Sequence, residues 1–199
     1  MKAQTQVVSV ILVVGIALAA VATITPWSLN MIQKRKDAKA VEDVFNFFFL
    51  LDSKIREVAV NGGEQTLMIK VPGKISVYPY RDDQATSNNI TFSFTSKVSN
   101  VALNEWISFT SNKNKTATLG VDSFGVIQAR AQRQRDYMKM DYNLWYRDLL
   151  DRQANRLYRI KLSTMNDQVV HSTNGFIRIQ RGEITTAQGL TITEVKIII

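Results

Sequence analysis

The side chains best suited to chemistry are few in this chain and far apart. Cysteine is absent and His171 is the single histidine. Disulfides, thiolate metal sites and cysteine nucleophiles are therefore excluded. His171 stands beside a predicted strand, where a lone imidazole reads as a structural side chain. Asp82 and Asp83 are adjacent carboxylates, the residue type that general acid-base catalysis uses. They fall in a polar stretch and read as solvated turn residues. The segment from Gly120 to Gly125 sets Ser123 between glycines, with the wrong spacing for a Gly-x-Ser-x-Gly nucleophile elbow. No Walker loop, dinucleotide fingerprint or metal-ligand pair occurs. The chain is expected to be no enzyme, with no cofactor, no metal and no small-molecule substrate.

Two further patterns bear on binding and modification. Arg130, Arg133, Arg135, Arg147, Arg152, Arg156 and Arg159 are interleaved with Tyr137, Tyr142, Trp145, Tyr146 and Tyr158. Cations beside aromatic rings are the chemistry that holds single-stranded nucleic acid. Asp136, Asp141, Asp148 and Asp151 dilute that field, so the region reads as surface ion pairs and nucleic acid is not an expected partner. Asn89-Ile90-Thr91 and Asn114-Lys115-Thr116 are sequons in predicted turns, so Asn89 and Asn114 would accept sugar if exposed outside the cell.

The elements that position these residues begin with an apolar stretch. No charged residue lies between Ala3 and Gln33. About 20 such residues, rising about 1.5 Å each as a helix, cover the roughly 30 Å hydrocarbon core of a bilayer. A single segment cannot close a barrel, so a helix is the form that satisfies its backbone in lipid. Gly15, Ala19 and Thr23 recur every four residues and offer a small-residue face for helix packing. The 199 residues carry a formal net charge of +8. That charge attracts anionic lipid heads, nucleic acid and acidic polymers.

The start of the chain admits three readings. It is a plain signal anchor, or a cleaved secretory signal with Ala20-Val21-Ala22 as the cleavage site, or a pilin leader. The third rests on Lys2-Ala3-Gln4-Thr5-Gln6 running directly into the apolar helix, and on Ile32-Gln33-Lys34-Arg35-Lys36-Asp37 after it. In these residues the chain resembles the type IV pilin family, particularly archaeal members with a class III signal. The resemblance implies a prepilin-type peptidase that cuts after Ala3, with Lys2 before the cut and Gln4 as the first mature residue. The fifth mature position, often glutamate in that family, is Val8 here. By this resemblance the apolar helix survives maturation, first as membrane anchor and then in a filament core with copies of itself or other pilins. Counting Lys34, Arg35 and Lys36 against Lys2 favours a cytoplasmic head. The resemblance places the head outside the cytoplasm, and that orientation is preferred.

Beyond the apolar stretch, Thr25-Pro26 predicts a kink, or a fresh helix start with Thr25 as cap. From Asp37 to Val60 the apolar positions Val41, Val44, Phe48, Leu51, Ile55 and Val58 alternate spacings of three and four, an amphipathic helix. Phe45, Phe47, Phe49 and Leu50 widen its stripe, and Asn61-Gly62-Gly63 ends it. Period-two alternation then predicts strands through Leu67, Ile69 and Val71, through Ile75 and Val77, and through Ile90, Phe92 and Phe94. Val71-Pro72-Gly73-Lys74 fits a type II turn between the first two. Leu144 to Leu157 reads as a short amphipathic helix, with Asp148 and Arg152 paired four apart. Further strands are predicted at 116–121, 126–131, 158–162, 168–171, 176–180 and 190–199.

The predicted fold class is α+β. A long N-terminal transmembrane helix, kinked at Pro26, precedes an antiparallel β-rich head with one short helix. Residues 1–27 form the leader and the membrane or filament-core helix, 28–61 its amphipathic extension, and 62–199 the head. The functional expectation is a pilin-like structural subunit of an archaeal surface filament. The alternatives are a monomeric membrane-anchored extracytoplasmic binding domain and a secreted protein.

Overall fold

The computed structural model describes residues 2–82 and 87–199, with side chains from residue 11 onward. One helix, α1 (Lys2–Asn61), is followed by twelve strands among the described residues. They are β1 (Glu64–Met68), β2 (Lys74–Tyr78), β3 (Asn89–Ser96), β4 (Ile107–Ser108), β5 (Thr116–Thr118) and β6 (Gly125–Gln134). After these come β7 (Tyr137–Tyr146), β8 (Asp148–Asp151), β9 (Arg156–Ser163), β10 (Val170–Ser172), β11 (Phe176–Ala187) and β12 (Leu190–Ile198). The fold class is α+β, as the change of period from 3.6 to two implies.

The strands make two six-stranded sheets, one ordered β1-β11-β12-β9-β8-β5 and the other β10-β2-β3-β7-β6-β4. Pairing is antiparallel except for β12 with β9 and β5 with β8. The C-terminal part of α1 touches strands of both sheets, and this is why its stripe is so completely covered. Val44, Phe48, Leu51 and Ile55 are fully buried, and Val41 and Val58 nearly so. Phe48 lies against Tyr142 of β7, ring centroids 5.5 Å apart. Ile177, Ile179, Val195 and Ile197 close the core from the other sheet. Phe47 joins the core, Phe45 packs edge-on against Phe109 at 4.8 Å, and Phe49 and Leu50 stay exposed.

α1 stops where the sequence says it must. Gly62 and Gly63 both take positive φ, 77° and 84°, and the Gly62 amide donates to the Val58 carbonyl at 2.9 Å. No basic side chain lies in the last turn. Arg181 of β11 supplies the charge instead, its Nη1 donating to the Val60 carbonyl at 3.3 Å. A cation there favours the partial negative charge of a helix end.

Four local expectations are overturned. The short helix at Leu144–Leu157 does not form; these residues are the end of β7, then β8 and the start of β9. Their helix-favouring composition yields to cross-strand pairing of Leu149 with Tyr158 and Leu150 with Leu157, the usual tertiary override of a weak propensity. Asp148 accordingly pairs with Arg159, not Arg152, through two bonds of 2.7 Å. Thr25 is no cap and α1 has no fresh start: the helix is continuous across Pro26. The Thr25 hydroxyl donates back to the Val21 carbonyl at 2.7 Å. Pro26 still withholds an amide from the carbonyl one turn earlier, the origin of the expected kink. Finally, Val71-Pro72-Gly73-Lys74 does not form the expected type II turn, and β1 and β2 lie in different sheets. Gly73 does not take positive φ. A Cβ there would stand 2.3 Å from the Phe92 ring and 2.7 Å from the Ser93 carbonyl oxygen, so close approach explains the glycine.

Candidate functional site

The largest uncompensated feature of the described residues is the first half of α1. It is long and apolar enough to cross a membrane, and its most apolar window has no buried residue. Ile11, Val14, Ile16, Leu18, Val21, Ile24, Trp27 and Leu29 are each half or more exposed. Soluble monomers rarely expose so contiguous an apolar patch. The helix is tied to the head at Asp37, whose Oδ2 accepts the Lys97 amide at 2.7 Å. From Val41 onward the same helix is core.

Gly15, Ala19 and Thr23 lie on this bare half. A Cβ at Gly15 would meet nothing within 4 Å. The Thr23 hydroxyl folds onto its own helix, 3.1 Å from the Ala19 carbonyl and 2.9 Å from that of Ala20. The small-residue face is therefore smooth, and no part of the head fills it. Lys2, Ala3 and Gln4 are helical, with side chains outside the described set.

Other singled-out residues disperse. Asp83 falls outside the described residues, and Asp82 accepts a hydrogen bond from the Tyr80 hydroxyl. His171 sits exposed on β10, its Nδ1 2.8 Å from the Ser76 Oγ. The arginines of the basic-aromatic region separate onto both sheets. Arg130 is paired with Asp141 at 3.1 Å and lies over the Trp106 ring at 4.6 Å. Arg147 is buried and donates to the carbonyls of Ser123, Asn112 and Asn114. Tyr142 and Tyr146 are core. No group of three or more metal-ligating side chains occurs among the described residues.

The two sequons differ sharply. Asn89 is no turn residue: it opens β3, opposite Trp145, and is nine-tenths buried. A glycan cannot enter there while the sheet is formed. Asn114 is exposed between β4 and β5.

Compared with protein-family models, curated proteins and solved structures, the chain matches none.

Two polar clusters escaped the sequence reading. Asp52, on α1, is buried against Gly125, accepting from the Tyr146 hydroxyl at 3.1 Å and from Arg56 Nε at 3.0 Å. Burial raises its pKa, outweighing the Arg56 charge and both hydrogen bonds, and burial also drives the Tyr146 phenol well above its ordinary value. The only signal was a charged residue one position past Leu51 in the stripe. Asn88, at φ 61°, stitches the sheets together. Its Nδ2 donates to the carbonyls of Tyr146 and Ile160 at 3.2 and 2.9 Å, and its Oδ1 accepts the Leu162 amide at 2.8 Å. Asparagine tolerates positive φ better than most residues, but nothing near it in sequence marks the contact.

Proposed function

We propose that this chain is a pilin-like structural subunit of an archaeal type IV pilus-type surface filament. In this reading the first half of α1 anchors the precursor as a single membrane span with the head outside the cytoplasm. After cleavage following Ala3, the same segment packs against copies of itself or other pilins. The observation that carries the reading is the division of one helix into a bare apolar half and a half locked into the head. Lipid and a bundle of apolar helices are similar solvents, so one surface serves both stages, and small residues decide how closely helices approach. The unbroken helix suits such a part, since a pull on the rod passes straight into the core around Phe48. The resemblance at Lys2-Ala3-Gln4 supplies the processing step.

N-terminal sequencing of the protein recovered from its native cells is the test. A mature chain beginning at Gln4 is the expected result. An intact Met1 would leave a simple anchored binding domain, and a start at Thr23 would mean a secreted protein. Either overturns the proposal.

A further inference from the structure

The head carries a cleft of about 640 Å³, well inside the range of small-ligand sites. It lies over one end of the β7-containing sheet. Strand alternation builds its floor: Tyr142, Leu144 and Tyr146 point into the core, so Asn143 and Trp145 face the other way. One wall carries Tyr80 and Asp82, just after β2; the other is the connection from β4 to β5, with Lys113 and Lys115. The end wall is held by an ion pair and a ring contact. Arg159 grips Asp148 through two bonds of 2.7 Å and lies 4.7 Å above the Tyr80 ring.

Five cationic and two carboxylate side chains line this space. Most of the cations are already engaged: Arg159 by Asp148, Arg147 by three backbone carbonyls, and Arg81 by the Asp167 carbonyl at 3.0 Å. Lys113 and Lys115 are exposed, and neither side chain has an ion pair or hydrogen bond among the described residues. The available chemistry is therefore an indole face, an amide, two free ammonium groups and an accessible carboxylate, Asp82.

We infer that this cleft binds an acidic saccharide, a sugar oligomer bearing carboxylates. The indole of Trp145 offers an apolar plane for the C–H face of a pyranose ring. Sugar hydroxyls both donate and accept, matching Asn143, which does both, and Asp82, which when ionised only accepts. The sugar carboxylate answers Lys113 and Lys115. A polynucleotide fits the same space less well. Its phosphates only accept, so Asp82 would repel them, and the free cations stand on one wall alone rather than tracking a strand. This site is independent of how the N-terminus is processed.

Isothermal titration calorimetry on the full-length protein in detergent micelles tests the inference. The probes are tetrasaccharides of galacturonate and of mannuronate, with cellotetraose and a deoxythymidine octamer as comparators. The expected result is saturable one-to-one binding of a uronate tetrasaccharide, at least tenfold tighter than cellotetraose. Trp145→Ala and the double substitution Lys113→Glu with Lys115→Glu should each weaken it at least tenfold. The lysine pair is exposed, so that variant keeps its melting temperature and carries the test even if Trp145→Ala loosens the sheet. Absence of uronate binding, tighter binding of the octamer, or unchanged affinity in the lysine variant would overturn it.

Discussion

The two halves of α1 are one continuous helix with opposite relations to their surroundings. In the first, apolar residues occupy every face, and Ile11 at 66% and Ile32 at 47% exposure touch nothing that hides them. In the second, apolar residues keep to one stripe, and Phe48 and Leu51 are wholly covered by two sheets. Both halves are continuous helix, apart from the amide missing at Pro26, so helix formation does not separate them. What differs is whether the chain itself supplies cover. The second half is covered by the head's own sheets; the first has no cover among the described residues and is long and apolar enough to cross a membrane.

The contrast predicts unequal responses to the same kind of substitution. Phe48→Ala should cost the head about 3–5 kcal/mol, the range for removing a buried aromatic side chain. Ile16→Ala, on the bare half, should leave the head's denaturant midpoint unchanged. Equal losses from the two would mean that the first half is covered by the head after all.

Val14→Arg should act the other way round. Arginine near the centre of a spanning helix costs about 2.5–3.5 kcal/mol of insertion. The protein should therefore shift from the membrane to the soluble fraction on cell fractionation, while the isolated variant shows the wild-type chemical-denaturation profile of the head. Retention in the membrane would detach the apolar half from the role given to it.

The smallest effect concerns Asp52, the one carboxylate that α1 buries. Its folded pKa is raised, so the native state holds the proton more tightly than the unfolded chain. The stability this contributes is full below the unfolded value and is lost as pH rises through the folded one. Asp52→Asn cannot titrate there. The melting temperature of the natural protein minus that of the variant should thus fall as pH rises above the ordinary carboxylate range, by a few degrees at most. Asp141 pulls in the opposite sense, because Ser93, Lys139 and Arg130 hold its carboxyl below the ordinary value despite burial. It is present in both proteins and cancels. A difference that is flat with pH, or that rises, would show that Arg56 and Tyr146 outweigh burial.

Much of the fold was legible because it follows from periodicity. The stripe from Val41 to Val58, the Asn61-Gly62-Gly63 stop and the inward set Ile90, Phe92 and Phe94 need only local spacing. The failures share one cause. At Leu144–Leu157 helix propensity is real, yet Tyr158 and Leu157 offer better partners across a hairpin. At Pro72-Gly73 the turn signal misled, because Gly73 is glycine to let the Phe92 ring and the Ser93 carbonyl approach, a contact local spacing does not show. Of the candidate site, the apolar rod was fully legible, since it needs no partner to define it. The cleft was not, because Trp145, Asp82 and Lys113 belong to three segments that only folding brings together.

Composition and spacing along the chain determined a charge-free apolar segment from Ala3 to Gln33, its amphipathic continuation and a β-rich remainder. These are properties of neighbours in sequence, fixed by helix and strand geometry. The pairing of the sheets, the burial of Asp52 and Asn89, and the choice of Arg181 to close a helix 121 residues away were decided by tertiary structure. Such choices depend on which surfaces meet after collapse, when desolvation penalises a buried polar group left without a partner.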